Sequence, residues 1–304
     1  MSVNGMIEKV IKSAVEIADT EKLSLPQWRE LRRIGLGGSD SPGVLGVSPW
    51  SSPLTVWMDK TGRSSEKKET HRMTLGRIVE RGVLQMLPEL VEGAVATPYK
   101  KMLQSKIEPL FIADIDGLVI IGDEIGVLEI KSILNDREWK EGPPKHVYVQ
   151  GQHYLYVTGL PFVLFVAVGQ WDTFVYRVER DEEMIRTIVR EGLVFWEGFV
   201  VTDIAPAPTG IDAEDEYISS VIGSEDSEAV LPEDLVSSYL EAKRIASEAD
   251  KKAKELYNKI KVDLGASSRG VAGKYRIIVK KSERAGYTVA PSVVTTIKIL
   301  GDEV

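Results

Sequence analysis

The segment from Ala113 to Ser132, ADIDGLVIIGDEIGVLEIKS, gathers the residue types that hydrolysis of a phosphate ester needs. Near its end apolar and charged residues alternate as Leu128, Glu129, Ile130, Lys131. On a strand, alternate side chains share a face, so Glu129 and Lys131 point one way while Leu128 and Ile130 point to the other, core-facing side. Asp116 lies upstream, followed by Gly117, and a hairpin between the two stretches brings Asp116 beside Glu129. Two carboxylates on one patch can hold a hard divalent cation with water positions left open. Such a cation lowers the pKa of a bound water and offsets charge growing on a phosphate. A lysine beside them can orient or deprotonate the attacking water. A Glu-x-Lys pair taken alone reads as a solvated ion pair contributing about 0–1 kcal/mol. The Asp–Gly at hairpin distance and the apolar strand raise it above that reading. Asp114 lacks a following glycine and is the weaker candidate ligand.

The chain contains no cysteine and only three histidines, His71, His146 and His153. Disulfides, thiolate catalysis and cysteine-held zinc or iron–sulfur centres are thereby excluded, and a multi-histidine site is disfavoured. Carboxylate ligation favours Mg²⁺ or Mn²⁺.

The elements that must position these groups read as one α/β domain. Met6–Ala18 has helical periodicity, Gly35–Gly43 is a glycine- and serine-rich turn, and Pro53–Lys60 fits a short helix with proline in its first turn. Arg72–Leu87 reads as a longer helix ending before Pro88. Lys100–Ser105, Phe111–Ile121 and Val127–Ser132 read as consecutive strands, and His146–Thr158 as a helix stopped by Gly159–Leu160–Pro161. Phe162–Val168 and Thr173–Val178 form a strand pair across GQWD, and a helix over Glu182–Phe199 closes the region. The order implies a mixed sheet with helices on its faces. Trp50 and Trp57 read as core or interface anchors.

Four stretches in order resemble the PD-(D/E)xK nuclease superfamily, and within it the lambda-type exonuclease and YqaJ-like viral recombinase branch. They are RRIGLGGSDSPGVLGVSPWSSPLTVWMDKTGR from Arg32, GRIVERGVLQML from Gly76, the Asp116 to Lys131 segment, and HVYVQGQHYLYVTG from His146. The resemblance covers residues 25–200. It implies a PD-(D/E)xK core, a central mixed β-sheet flanked by helices; the C-terminal helix plus β-hairpin extension is read from the sequence pattern beyond it. It implies Asp116, Glu129 and the backbone carbonyl of Ile130 as metal ligands, and Lys131 as the group that positions the water. Glu80 would stand near the metal, directly or through water. Gln152 would position the water or the scissile phosphate, with Gln150 as its rival. Arg32 or Arg33, with Ser39, would grip the end phosphate. The activity implied is a Mg²⁺-dependent double-strand DNA exonuclease running 5′ to 3′. Its partners would be double-stranded DNA ends, a single-strand annealing protein and further copies of itself in a ring. Its setting would be the cytoplasm of a bacterial host, encoded by a phage or prophage. The rival readings are another nuclease of the superfamily, such as an endonuclease, and a catalytically silent DNA-binding or assembly module.

The net charge is −8, from 38 Lys and Arg against 46 Asp and Glu. Taken alone this argues against a nucleic-acid partner, but a basic channel inside an acidic outer face is compatible with it. The N-terminus lacks the apolar stretch of a signal peptide, and the longest apolar runs are strand-length, which implies a cytoplasmic protein outside the membrane. The expected division is a nuclease core over 1–205, an acidic linker over 206–231 opening with Ala205–Pro206–Ala207–Pro208, and a long helix with strands over 232–304. In that helix Leu235, Tyr239, Ala242, Ala246, Ala249, Ala253, Leu256 and Ile260 step by four and three, a coiled-coil-like seam. A basic tail around Lys280, Lys281 and Arg284 is expected to form strands.

Overall fold

The computed structural model describes residues 11–64, 70–221 and 228–279. The chain divides into two compact units, Met1–Ile222 and Gly223–Val304.

The first unit is built on a five-stranded sheet in the order β2 (Ala94–Pro98), β5 (Gly117–Ile121), β6 (Glu124–Ser132), β7 (Phe162–Val168), β8 (Thr173–Glu179). Only β6 and β7 run parallel; the other neighbours are antiparallel. The parallel pair needs a crossover, supplied by helix α5 (Lys145–Thr158). A smaller sheet of β1 (Ala14–Asp19), β3 (Lys101–Ser105) and β4 (Ile112–Asp114) stands beside the large one. The helices before β2 are α1 (Leu25–Arg33), α2 (Ser41–Val44), α3 (Pro53–Lys60) and α4 (His71–Leu90). Helix α6 (Glu182–Phe195) follows β8.

The two faces of the large sheet bury different cores. Val119, Leu128, Ile130, Leu164 and Val166 pack with Val83 and Leu87 of α4. Leu118, Val127, Val163, Phe165 and Ala167 belong to the main core with Leu155 of α5 and Ile188 of α6. The alternation read around Glu129 therefore holds: Leu128 and Ile130 face α4, and Glu129 and Lys131 face the α5 side, where Gln150 meets them.

Several expectations are corrected. Within Met6–Ala18 the chain is strand from Ala14, because Val15 and Ile17 favour extended backbone and the stretch pairs with β3; residues 6–10 lie outside the described residues. Helix α4 continues through Pro88 to Leu90, since a proline in the last turn forfeits one hydrogen bond while Leu87 stays buried and its carbonyl accepts from Val91. Phe111–Ile121 is two strands in two sheets, broken at Ile115–Asp116, and β2 was not expected at all. The helix from Glu182 is α-helical to Phe195 and then widens into a π turn over Trp196–Val200. The stretch expected to open an acidic linker folds back on the core as far as α7 (Asp215–Val221). Buried Glu214 accepts from Ser52 Oγ at 2.5 Å and from the N–H of Thr209 and Gly210, and Tyr217 meets Trp57 edge-on.

In the second unit, helix α8 (Glu233–Leu264) carries no buried residue, and β9 (Arg269–Ala272) pairs with β10 (Tyr275–Ile278) as a hairpin. The seam positions Leu235, Tyr239, Leu256 and Ile260 are exposed. The tail around Lys280, Lys281 and Arg284 lies outside the described residues. Among the described residues no helix is long and apolar enough to cross a membrane.

Candidate active site

Asp116 sits where the chain leaves the small sheet for the large one. Gly117 opens β5 opposite Leu128, so Asp116 falls beside Glu129 one step further. Glycine is needed there, because a Cβ would come within 2.7 Å of the Thr97 carbonyl oxygen on the neighbouring strand. Asp116 Oδ2 accepts from the backbone N–H of Ile130 at 2.8 Å, locking loop to strand. Above the sheet, Gly151 lets α5 approach closely: a Cβ would stand 2.4 Å from the Phe165 ring. That approach delivers Gln150. Its Nε2 donates to Glu129 Oε1 at 2.9 Å and to the Tyr154 hydroxyl at 2.8 Å, while its Oε1 accepts from Lys131 Nζ at 3.0 Å. Lys131 Nζ also lies 2.6 Å from Glu129 Oε1.

These groups line one cleft of about 270 Å³, together with Ile130, Asp114, Arg32, Gly37, Gly38 and Ser39. Burial, then the charge of Glu129, drives the Asp116 carboxyl well above the ordinary carboxylate range, against the pull of Lys131 and the Ile130 N–H. Burial raises Glu129 as well, with Lys131 opposing. Burial works against the Lys131 ammonium, but Glu129 and Asp116 outweigh it and leave the lysine more basic than usual. Two carboxylates thus share one compensating lysine.

A divalent cation fits this donor set. Glu129 is 3% exposed, and its Oε2 is buried with no hydrogen-bond partner. An unsatisfied buried carboxylate oxygen beside a second carboxylate lacks what a hard cation supplies. Among the described residues no group of three His, Cys, Asp or Glu forms a complete cage. The donors on offer are two carboxylates and backbone, a set suited to an ion that keeps several waters.

The other expected residues divide. Arg32 and Ser39 line the cleft, with Arg32 Nη2 donating to Ser39 Oγ at 2.8 Å and the guanidinium lying 5.0 Å over the Trp28 ring. Arg33 turns away, donating to the Asp59 carbonyl at 3.0 Å and pairing with Glu30. Gln152 is fully buried beneath the sheet edge, bonded to the Glu179 carbonyl and the Asp181 N–H at 2.8 Å each. Gln150 occupies the place expected of it. Glu80 pairs with Lys100 and does not line the cleft, though its charge still raises Asp116 and Glu129. Asp114 lines the cleft, but its Oδ2 accepts from the Trp28 indole N–H at 2.7 Å. Sequence reasoning missed Tyr154 and Trp28 as cleft walls; Tyr154 was findable, since it lies four residues after Gln150 on one helix face.

Residues 27–161 match the model of the YqaJ-like viral recombinase domain. The YqaJ protein of Bacillus subtilis strain 168 is 30% identical over 277 residues, covering 87% of this chain and 86% of its own. An alkaline exonuclease from Laribacter hongkongensis aligns in structure with 22% identity and a TM-score of 0.48, over 59% of this chain and 94% of its own. A phage-related exonuclease from Haemophilus somnus 129PT aligns with 11% identity and a TM-score of 0.43, over 64% and 99%.

Proposed function

We propose that this chain, which belongs to the YqaJ-like viral recombinase family, is a divalent-metal-dependent exonuclease that resects duplex DNA from 5′ to 3′. The observation that carries this reading is the cleft itself, with Asp116, Glu129, Lys131 and Gln150 converging and one buried Glu129 oxygen unsatisfied. Asp116, Glu129 and the Ile130 carbonyl would hold Mg²⁺ or Mn²⁺, which when bound supplies electrophilic chemistry at the phosphate. Lys131, held by Glu129 and Gln150, orients the attacking water through an N–H and stabilises charge on the phosphate. Gln150 fixes both, taking the role first expected of Gln152. Arg32 grips the terminal phosphate through its planar fork, with Ser39 beside it. The family likeness further supports a homo-oligomeric ring and delivery of the exposed strand to a single-strand annealing protein.

Duplexes labelled at one 5′ or one 3′ end, linear and circular, incubated with and without Mg²⁺, test the reading. Metal-dependent loss of the 5′ label from linear duplex alone is expected. Cleavage of circles would make the protein an endonuclease, and cleavage of neither would leave a binding module.

A further inference from the structure

Behind the Arg32 pocket lies a buried cation with no role in the mechanism above. Lys60, the last residue of α3, has a side chain with no exposure to solvent. Its Nζ stands 2.6 Å from Asp40 Oδ2, donates to the Arg32 carbonyl at 2.9 Å, and lies 3.7 Å from half-exposed Asp59. Asp40 Oδ1 in turn accepts from Arg32 Nη2 at 3.1 Å, and Asp40 Oδ2 accepts from the Gly37 N–H at 2.8 Å. The chain of contacts runs Lys60, Asp40, Arg32, Ser39 and ends in the cleft.

Bracing Arg32 requires only Asp40. A buried ammonium is costly to desolvate, so a second cation behind the pair calls for a function. Without Lys60, Asp40 would offset the guanidinium, and with Lys131 and a bound cation engaged by Asp114, Asp116 and Glu129 the Arg32 end would present no positive charge of its own to an incoming phosphate. Lys60 takes up the charge of Asp40 from behind. Burial pushes the Asp40 carboxyl up, yet Lys60 and Arg32 together hold it well below the usual carboxylate range, so it stays ionised between them. Asp59 opposes both Lys60 and Arg32 from the solvent side, where water screens it. Two cations around one enclosed carboxylate leave a surplus of positive charge, and only the Arg32 end of it reaches the cleft.

We propose that Lys60 is a positioning residue that sets end specificity: through Asp40 it leaves Arg32 the free positive charge that selects a terminal phosphate over a terminal hydroxyl, without touching DNA. This rests on the reading of Arg32 and Ser39 as the end-phosphate pocket. A role confined to holding the fold would alter digestion of all ends alike.

The test compares single-turnover digestion of 5′-phosphorylated and 5′-hydroxyl duplexes by the full chain. The unaltered protein is expected to prefer the phosphorylated end by about tenfold or more. Lys60→Met, folded by circular dichroism, should cut that preference to about twofold while the hydroxyl-end rate stays within about twofold. In an Arg32→Ala background the same change should leave the ratio where it is, since the two act through one path. Lys60→Arg should restore the preference. If Lys60→Met does not fold, Lys60→Gln, which keeps donors and loses charge, reads the same ratio. A preference that survives in the neutral variant, or two rates that fall together, overturns the role of Lys60. Equal rates on both ends in the unaltered protein overturn the pocket itself.

Discussion

Two buried clusters flank one cleft with the same residue types in opposite balance. At Asp116, Glu129 and Lys131, two acids share one base, both carboxyls are pushed up, and an oxygen of Glu129 has no partner. At Arg32, Asp40 and Lys60, two bases share one buried acid, with half-exposed Asp59 on the solvent side; the Asp40 carboxyl is driven down, and each of its oxygens is bonded. Desolvation acts on both clusters, so the direction of the shift is decided by the ratio of charges. The first cluster is short of positive charge and suits a cation. The second holds positive charge in excess and suits an anion. A phosphodiester needs both a few ångströms apart, so the proposed DNA site does not conflict with a net charge of −8.

Breaking the acid-rich cluster should have the largest effect. Asp116→Ala, Glu129→Ala and Lys131→Ala should each lower metal-dependent cleavage by about 10³-fold or more, in folded protein. End-labelled duplex digestion measures it, and full activity in Glu129→Ala would remove this cluster from the chemistry. Gln150→Ala should cost about 10–100-fold, as loss of a group that orients the reacting ones. Its neighbour Gln152→Ala should leave cleavage intact and lower stability instead, by about 1–3 kcal/mol in denaturant titration, because it strands the Asp181 N–H and the Glu179 carbonyl. Reversed outcomes for the two glutamines would restore Gln152 to the site.

The base-rich cluster should respond more gently. Arg32→Ala is expected to erase a preference of about tenfold for 5′-phosphorylated ends. Arg33→Ala should change it little, since that side chain serves Glu30 and Asp59. A larger effect from Arg33 would exchange their roles.

A signal that leaves cleavage aside is the pH dependence of stability. A carboxyl raised on folding binds its proton more tightly when folded, so Asp116 lowers stability at neutral pH and gives it back as pH falls toward the unfolded value of 3.8. Asp116→Asn should therefore gain stability at pH 7 and lose the rise on acidification. His153 works the other way. Burial lowers it from 6.5 to about 4, with Ser41 Oγ donating to Nδ1 at 2.7 Å and Nε2–H donating to the Ile112 carbonyl at 2.8 Å. Its contribution is present above pH 6.5 and drains away down to about 4, on the order of 3 kcal/mol in all. The difference between the Asp116→Asn and unaltered proteins isolates the first effect, and parallel curves would contradict it.

The sequence alone determined the strand that carries Glu129 and Lys131. Alternation of Leu128, Glu129, Ile130 and Lys131 sorts core from site by the two-residue period of a strand, a local rule that needs no partner. The Gly-rich turn at 35–43 and the helix from Pro53 are local too, as is the helix stopped at Gly159. Tertiary structure decided what depends on distance. Whether Gln150 or Gln152 faces the cleft turns on which side of α5 lies against β7, and the close approach at Gly151 settles it. Arg32 and Arg33 are adjacent and chemically equal, and their partners divide them: Asp40 and Ser39 hold Arg32 at the cleft, while the Asp59 carbonyl and Glu30 hold Arg33 away from it. Strand β1 reads as helix in the sequence because its pairing partner, β3, lies more than eighty residues away. The acidic stretch to Val221 resembles a linker by composition, yet Glu214 docks it, since one buried carboxylate with donors from Ser52, Thr209 and Gly210 outweighs a solvated average. Composition and period act along the chain, while charge balance at a buried site is a sum over elements that only folding brings within a few ångströms.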